Sequence, residues 1–320
     1  MEIRERFRGC LLGLAAGDAV GTTAEFRLRG RFEPLTDMVG GGPFGLRPGE
    51  WTDDTSMALC LATSLVERRG FDARDQMDRY CRWADEGYLA SNGRCFDIGL
   101  TVSAALRRYR ADGNPYAGST DPKAAGNGCI MRLAPVAMFF HPDADAVERF
   151  AAESARTTHG AAECADACRL LARILNRALA GQPKDDVLLA DRGSPALGER
   201  VAGIARGDYR AKAADDIVGS GYVVASLEAA LWAFSATATF REAVLAAANL
   251  GDDADTTAAV CGQVAGAFYG EQAIPANWRE RLARREAIEE LADRLHAGGR
   301  AGGRNDGSAA RVREDRATRG

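Results

Sequence analysis

Alternation of β-branched with polar residues is almost absent from this 320-residue chain, which removes the usual signature of half-buried strands. It also lacks a long apolar run. The longest, Leu133–Phe140, falls far short of the roughly 20 residues a membrane helix needs, so no membrane span is expected. No leader combines a basic start, an apolar centre and a small-residue cleavage site, because Met1–Arg8 alternates charge and runs directly into Gly9–Ala16. The expected location is cytoplasmic. Positive charge is not in excess either: a net charge of −4 offers no concentrated basic surface, which argues against a nucleic-acid partner. The eight cysteines include no Cys-x-x-Cys pair and sit beside Ala, Leu and Val in helical patterns, as buried reduced thiols do. Cys164 and Cys168, four apart near His159, are the one place for a soft metal, and buried thiols remain the preferred reading. No fixed-period repeat is present.

With 46% hydrophobic and 27% charged residues, most of the chain is expected to be globular, as one large domain. Apolar residues recur every three or four positions over 9–20, 56–69, 73–86, 99–110, 131–140, 144–157, 161–180 and 185–189. The same period continues over 195–205, 222–234, 240–248, 256–269 and 275–295. The fold class is therefore all-α, a compact multi-helix bundle with short loops. In the first helix, small residues at 9, 13 and 17 would let another backbone come close. Its end carries Asp18, followed by Glu25 and a Gly- and Pro-rich loop over 40–49 that could act as a lid or simply as a flexible connection. Residues 1–296 are expected to form that domain, a monomer. Residues 297–320, with six arginines against three acids, form an expected disordered tail.

Chemistry concentrates in two acidic knots, each opening an apolar helix. One is Thr52-Asp53-Asp54-Thr55; the other is Asp252-Asp253-Ala254-Asp255-Thr256-Thr257. Acids and hydroxyls at a helix start can serve as caps, but one carboxylate suffices for a cap. The surplus must repel itself unless a cation is present. Oxygen donors without His or Cys suit a hard ion, Mg²⁺ or Mn²⁺. If the knots meet, they can hold two such ions with positions left open for water or substrate.

Other segments are weaker signals. Gly126-Asn127-Gly128, running through Met131 and Arg132 into an expected helix, is a turn with outward N–H groups that would suit a diphosphate, with Arg132 adding charge. His159 precedes a helix, Asp97 stands in the position of an N-cap, and Tyr222 follows Gly219-Ser220-Gly221, where it could stack on a ring or serve the core.

Taken in order, these motifs resemble the ADP-ribosylglycohydrolase family. The resemblance runs from Gly9–Gly21 and Glu25-Phe26 through Thr52–Thr55, Asp97-Ile98-Gly99, Gly126–Arg132, Thr158-His159 and Tyr222 to Gly251–Thr257. It implies a compact, orthogonal all-helical bundle with a binuclear Mg²⁺ or Mn²⁺ cleft, its ligands carried by Thr52, Asp53, Asp54, Asp253, Asp255 and Thr256. It also implies an ADP-ribose cleft in which Gly126, Asn127, Gly128 and Met131 lie near the ligand while His159 and Tyr222 help to hold it. Glu25 matches a mobile acid near the metals, and Asp97 an acid near the scissile bond.

Cleaving a ribosyl bond builds positive charge at the anomeric carbon, so the site must orient the diol, supply water and protonate the leaving group. Asp97, Glu25 and Asp253 are the expected catalytic residues, with the acid and base roles of the first two left open. Two positions depart from the family pattern, both near the substrate side: Leu100 stands where related enzymes can have Asn, and Gly160-Ala161-Ala162 replaces a longer His- and Pro-containing version. The expected substrate is ADP-ribosyl-arginine on a protein. ADP-ribosyl-serine or a small ADP-ribose conjugate comes second. The rivals from other classes are a non-catalytic ADP-ribose-binding or structural protein and a metal-dependent phosphohydrolase.

Overall fold

Glycine at every fourth position gives the first helix a side with no side chains, and the rest of the fold is hung on it. The computed structural model describes residues 1–189 and 197–302. Helix α1 (Ile3–Gly21) is followed by α2 (Asp53–Arg68), α3 (Ala73–Glu86), α4 (Leu100–Asp112), α5 (Ala134–Phe140), α6 (Ala144–Arg156) and α7 (Ala162–Leu179). Then come α8 (Lys184–Leu188), α9 (Glu199–Arg206), α10 (Val223–Ser235), α11 (Phe240–Ala248), α12 (Ala254–Tyr269), α13 (Ala276–Arg281) and α14 (Arg285–Gly302). Among the described residues there is no strand ladder, only isolated bridges such as Gly126 with Tyr222.

Helices α1 and α12 lie antiparallel at the centre with their backbones in contact. A Cβ on Gly9, Gly13, Gly17 or Gly21 would stand 2.3, 2.3, 2.1 or 2.3 Å from the carbonyl oxygen of Gly266, Gly262, Ala258 or Ala254. The expected close approach at positions 9, 13 and 17 is thus found, and Gly21 extends it by one turn. Both helices are buried along most of their length, as an apolar helix without a polar stripe must be. The antiparallel register has a chemical consequence: it sets the end of α1, with Asp18, beside the start of α12, with Asp253 and Asp255.

A second, smaller core packs Met57 and Cys60 of α2 against Met77, Tyr80 and Trp83 of α3 and Val102 and Leu106 of α4. Helix α2 gives Ala58, Leu59 and Leu61 to the main core, so it joins the two cores and its N-terminus lies at their junction.

Several boundaries differ from the periodicity. The span 275–295 is two helices, because Arg284 takes a left-handed conformation (φ 55°) and the turn is held by Ala283 N donating to Gly49 O (2.9 Å) and Trp51 Nε1 to Ala283 O (3.1 Å). Helix α5 begins at Ala134, not Met131, with proline in its first turn, where a missing N–H costs nothing. Helix α14 continues to Gly302, past the expected start of the tail at 297; residues 303–320 of that tail, and 195–196 at the head of the expected helix 195–205, lie outside the described residues. The loop over 40–49 is packed rather than freestanding: Gly41 pairs with Leu46, Thr23 Oγ1 donates to Gly40 O at 3.0 Å, and the Phe44 ring lies 5.3 Å from that of Phe96.

Candidate functional site

The two acidic knots meet. Thr52 is the N-cap of α2 and Asp253 that of α12, yet neither caps its own helix with its side chain. The α2 start is capped instead by Asp18 of α1. One Asp18 oxygen accepts from Thr52 N and Thr52 Oγ1, both at 2.9 Å, and the other from Thr55 N at 3.0 Å and Thr55 Oγ1 at 2.6 Å. Asp53 and Asp54 are therefore relieved of capping duty and turn into the junction, where Thr52 Oγ1 lies 3.4 Å from Asp255 Oδ2 and Thr256 Oγ1 3.5 Å from Asp54 Oδ2.

Asp18 is fully buried, and asparagine there would present an NH₂ to donors that need acceptors. Asp18→Asn is expected to destabilise the fold by about 2–4 kcal/mol, since each stranded buried partner costs about 1–3 kcal/mol, and to lower activity with it. Urea denaturation with an activity assay checks this; unchanged stability would show that the Asp18 cap is dispensable.

Two further acids arrive on loops. Glu25 follows the end of α1, and Asp97 has a left-handed backbone (φ 58°), a conformation that non-glycine residues hold at a cost and that concentrates at functional sites. Asp97 is not the N-cap of α4; that place belongs to Gly99, which leaves the carboxylate free to face the junction. Ligand oxygens of Glu25, Asp97 and Asp255 all lie within 4.8 Å of one another. This triple combines one residue expected as a ligand with two expected in proton transfer. The cysteines form no comparable group among the described residues, and all eight are free thiols.

The electrostatics follow from burial without compensation. Among the described residues no Lys or Arg forms an ion pair with Glu25, Asp53, Asp54, Asp97 or Asp255, and Asp54 Oδ1 is buried with no hydrogen-bond partner. Burial, then the charges of Asp97, Asp253 and Asp18, pushes Glu25 up to about 9. Burial, then Asp18 and Asp253, pushes Asp97 up to about 7. Asp53, Asp54 and Asp255 are raised well above the ordinary carboxylate range, first by burial and then by one another's neighbours. Such a cluster either keeps protons or takes a cation. All-oxygen donors, one of them unpartnered, fit a hard divalent ion.

The acids floor a cavity of about 500 Å³ whose walls include Phe26, Ile98–Val102, Gly126, Asn127, Gly128, Met131, His159 and Gly221. The glycine loop rests on His159: a Cβ on Gly128 would stand 2.9 Å from His159 Cε1. His159 is buried, which pushes it down to about 4, so its ring is neutral. Asn127 Nδ2 donates to Asp253 Oδ2 at 3.0 Å and Ser226 Oγ at 3.2 Å, tying the loop to the acids. Arg132 does not face the cavity as an anion site would require. It is fully buried, donating to Gly128 O (2.8 Å) and Thr158 Oγ1 (2.6 Å) beneath Tyr80, and so shapes the loop from behind. Tyr222 is set one groove over: its hydroxyl donates to Glu163 (2.7 Å) and accepts from Arg200 (3.1 Å), while Val223 N donates to Ala125 O (3.0 Å).

Sequence reasoning passed over Asp18 as a functional residue and left Asp252 without a role. Asp252 has φ 59°; its N–H donates to Arg27 O (2.8 Å) and its carbonyl accepts from Phe26 N (2.7 Å). It clamps the Glu25 loop to the α12 start, in a conformation Asp tolerates better than most residues.

The chain is similar to known proteins along nearly its whole length. The chain matches the family described as ADP-ribosylglycohydrolase over residues 1–305. It is 47% identical over 291 residues to ADP-ribosylarginine hydrolase Tri1 of Pseudomonas putida strain GB-1, covering 91% of this chain and 78% of that protein. It is 33% identical over 288 residues to the ADP-ribosyl-[dinitrogen reductase] glycohydrolase of Rhodospirillum rubrum, covering 88% and 91%. A solved structure described as an ADP-ribosylglycohydrolase-related protein complex superposes with a TM-score of 0.83 at 44% identity, over 93% of this chain and 99% of that one. On the strength of a match along nearly its whole length, the chain belongs to the ADP-ribosylglycohydrolase family.

Proposed function

We propose that this protein is a metal-dependent hydrolase that splits the glycosidic bond between ADP-ribose and an arginine side chain of a modified protein, releasing ADP-ribose. The observation that carries it is the cluster of buried acids at the floor of the cavity, unpaired with Lys or Arg among the described residues, in a chain 47% identical to a protein named for hydrolysis of ADP-ribosylarginine. Thr52, Asp53, Asp54, Asp253, Asp255 and Thr256 would hold two Mg²⁺ or Mn²⁺ ions. When bound, such ions polarise a water and grip ribose hydroxyls.

The remaining steps belong to the chain. The wall formed by Gly126, Asn127 and Gly128 receives the diphosphate, with Met131 and neutral His159 against the ligand and Tyr222 at the neighbouring groove. Glu25 and Asp97, which burial keeps protonated more readily than ordinary carboxylates, hold the proton that the leaving guanidine takes as the C–N bond breaks. Asp253, held by Asn127, orients the water whose oxygen joins the anomeric carbon. We place the enzyme in the cytoplasm as a monomer, with eight free thiols suited to a reducing compartment. Among the described residues no helix is long and apolar enough to cross a membrane.

The test incubates the protein with ADP-ribosyl-arginine and ADP-ribosyl-serine peptides and Mg²⁺ or Mn²⁺, reading products by mass. Free ADP-ribose and unmodified arginine peptide are expected. Cleavage of the serine peptide alone would reassign the acceptor, phosphate release would make the protein a phosphohydrolase, and unchanged peptides would leave a binding protein.

Ion binding has its own signature. A carboxyl whose folded pKa is raised binds protons more tightly folded than unfolded. The metal-free fold therefore loses this contribution as pH climbs from the unfolded values near 4 through about 6, 7 and 9, the values of Asp18, Asp97 and Glu25. A saturating divalent ion restores it, by about 2.7 kcal/mol at a hundred times Kd, or about 5 °C in Tm. The shift is expected to be larger at pH 8.5 than at pH 5.5, where protons compete. A thermal melt with and without Mn²⁺ checks it; no shift, or equal shifts at both pH values, would contradict it.

A further inference from the structure

We propose that Phe26–Arg31, together with Leu100, is a docking collar for the acceptor protein, fitted to an acidic and apolar surface around the modified arginine. This rests on the ADP-ribosyl-arginine reading and adds to it what the enzyme recognises beyond the nucleotide.

Phe26, Leu28 and Leu100 are 67%, 70% and 90% exposed, a concentration of large apolar side chains in water that commonly marks an interaction site. Phe26 and Leu100 also border the cavity above the acids. The segment is braced rather than loose. Asp252 pairs with Phe26 and Arg27 through two backbone hydrogen bonds of 2.7 and 2.8 Å, and the Arg29 guanidinium donates to Ala214 O and Ile217 O. Phe26 itself stands in the left-handed region at φ 59°, a costly conformation for a bulky residue, held by the backbone pairing with Asp252.

Charge is consistent with the same place. On a chain of net charge −4, Arg27 and Arg31 are exposed and enter no ion pair among the described residues; Arg27 reaches only the carbonyl of Arg31. Two free cations beside apolar side chains favour an acidic partner and speed its approach. The occupant follows from continuity with the cavity: an arginine side chain reaching the acids brings its own protein's surface over the mouth, onto Phe26 and Leu100. A small conjugate brings nothing there.

The experiment compares three probes: ADP-ribosyl-arginine alone, an arginine-ADP-ribosylated peptide flanked by Glu and Leu, and one of equal length flanked by Lys and Ser. At low salt the wild type is expected to favour the Glu/Leu peptide over the Lys/Ser peptide by roughly fivefold in kcat/KM. Leu28→Glu/Arg31→Glu is expected to abolish or reverse that preference while cleaving free ADP-ribosyl-arginine at the wild-type rate, which also shows that the variant is folded. Equal wild-type rates on the two peptides, a preference that survives in the variant, or a parallel loss on all three probes would overturn the collar. A wild type that cleaves none of the three would overturn the underlying reading, and the collar with it.

Discussion

Asp255→Asn is expected to lower the hydrolysis of ADP-ribosyl-arginine by roughly 10²- to 10³-fold, the scale of removing one key electrostatic group from an active site, while raising the Tm of the metal-free protein. The two effects share one cause. Asp255 is buried, its oxygen lies within 4.8 Å of those of Glu25 and Asp97, and its pKa is driven up by burial and then by Glu25, Asp54 and Asp253. Neutralising it removes repulsion, with a gain of about 1 kcal/mol or more and so a few degrees in Tm. Asparagine can still accept from Thr256 N, now served by Asp255 Oδ1 at 2.8 Å. A site arranged for binding holds charges that stability alone would discard. Activity assays and metal-free melts on the same sample check both signs; a variant both less stable and inactive would mean that Asp255 is a structural acid.

The largest effect on stability is expected at the α1–α12 seam. Gly262→Leu should give insoluble protein or a loss beyond about 3 kcal/mol, the upper range for overpacking. A Cβ there would stand 2.0 Å from Gly13 O, and backbone cannot turn aside as a side chain can. Gly70→Ala is the control, with nothing within 4 Å of its Cβ, and should stay within about 0.5 kcal/mol of wild type. Soluble yield and urea midpoints report the contrast. If Gly262→Leu melts like wild type, the two backbones do not touch. Ala at Gly262 carries the same Cβ, so it should lower stability and activity together as the start of α12, with Asp253 and Asp255, is pushed away from the end of α1.

How much of this was legible in the sequence depended on whether a residue acts through its neighbours in the chain or through space. The glycine stripe was visible because a helix turns every 3.6 residues, so positions 9, 13 and 17 share a face. The two knots were visible because they hold more acid than capping needs. Asp18 was not, since its four donors lie 34 and 37 residues away and a lone acid in an apolar helix carries no local sign of them. Asp97 sits three residues before α4, where sequence alone suggests a cap, and the structure puts Gly99 in the N-cap position and a left-handed backbone at Asp97. Arg132 next to a glycine loop suggests an anion site; its burial beneath Tyr80 is a property of the packed fold. The break between α13 and α14 depends on Gly49 and Trp51, more than 200 residues upstream, which no window of periodicity spans.

The central claim is that helix starts two hundred residues apart in sequence meet to hold divalent ions at the floor of the cavity. Anomalous diffraction from a crystal grown with Mn²⁺ tests it most directly. The account predicts manganese peaks bounded by Thr52, Asp53, Asp54, Asp253, Asp255 and Thr256, lost in Asp255→Asn. A cavity floor without manganese in the wild type, or manganese bound only elsewhere, would contradict it.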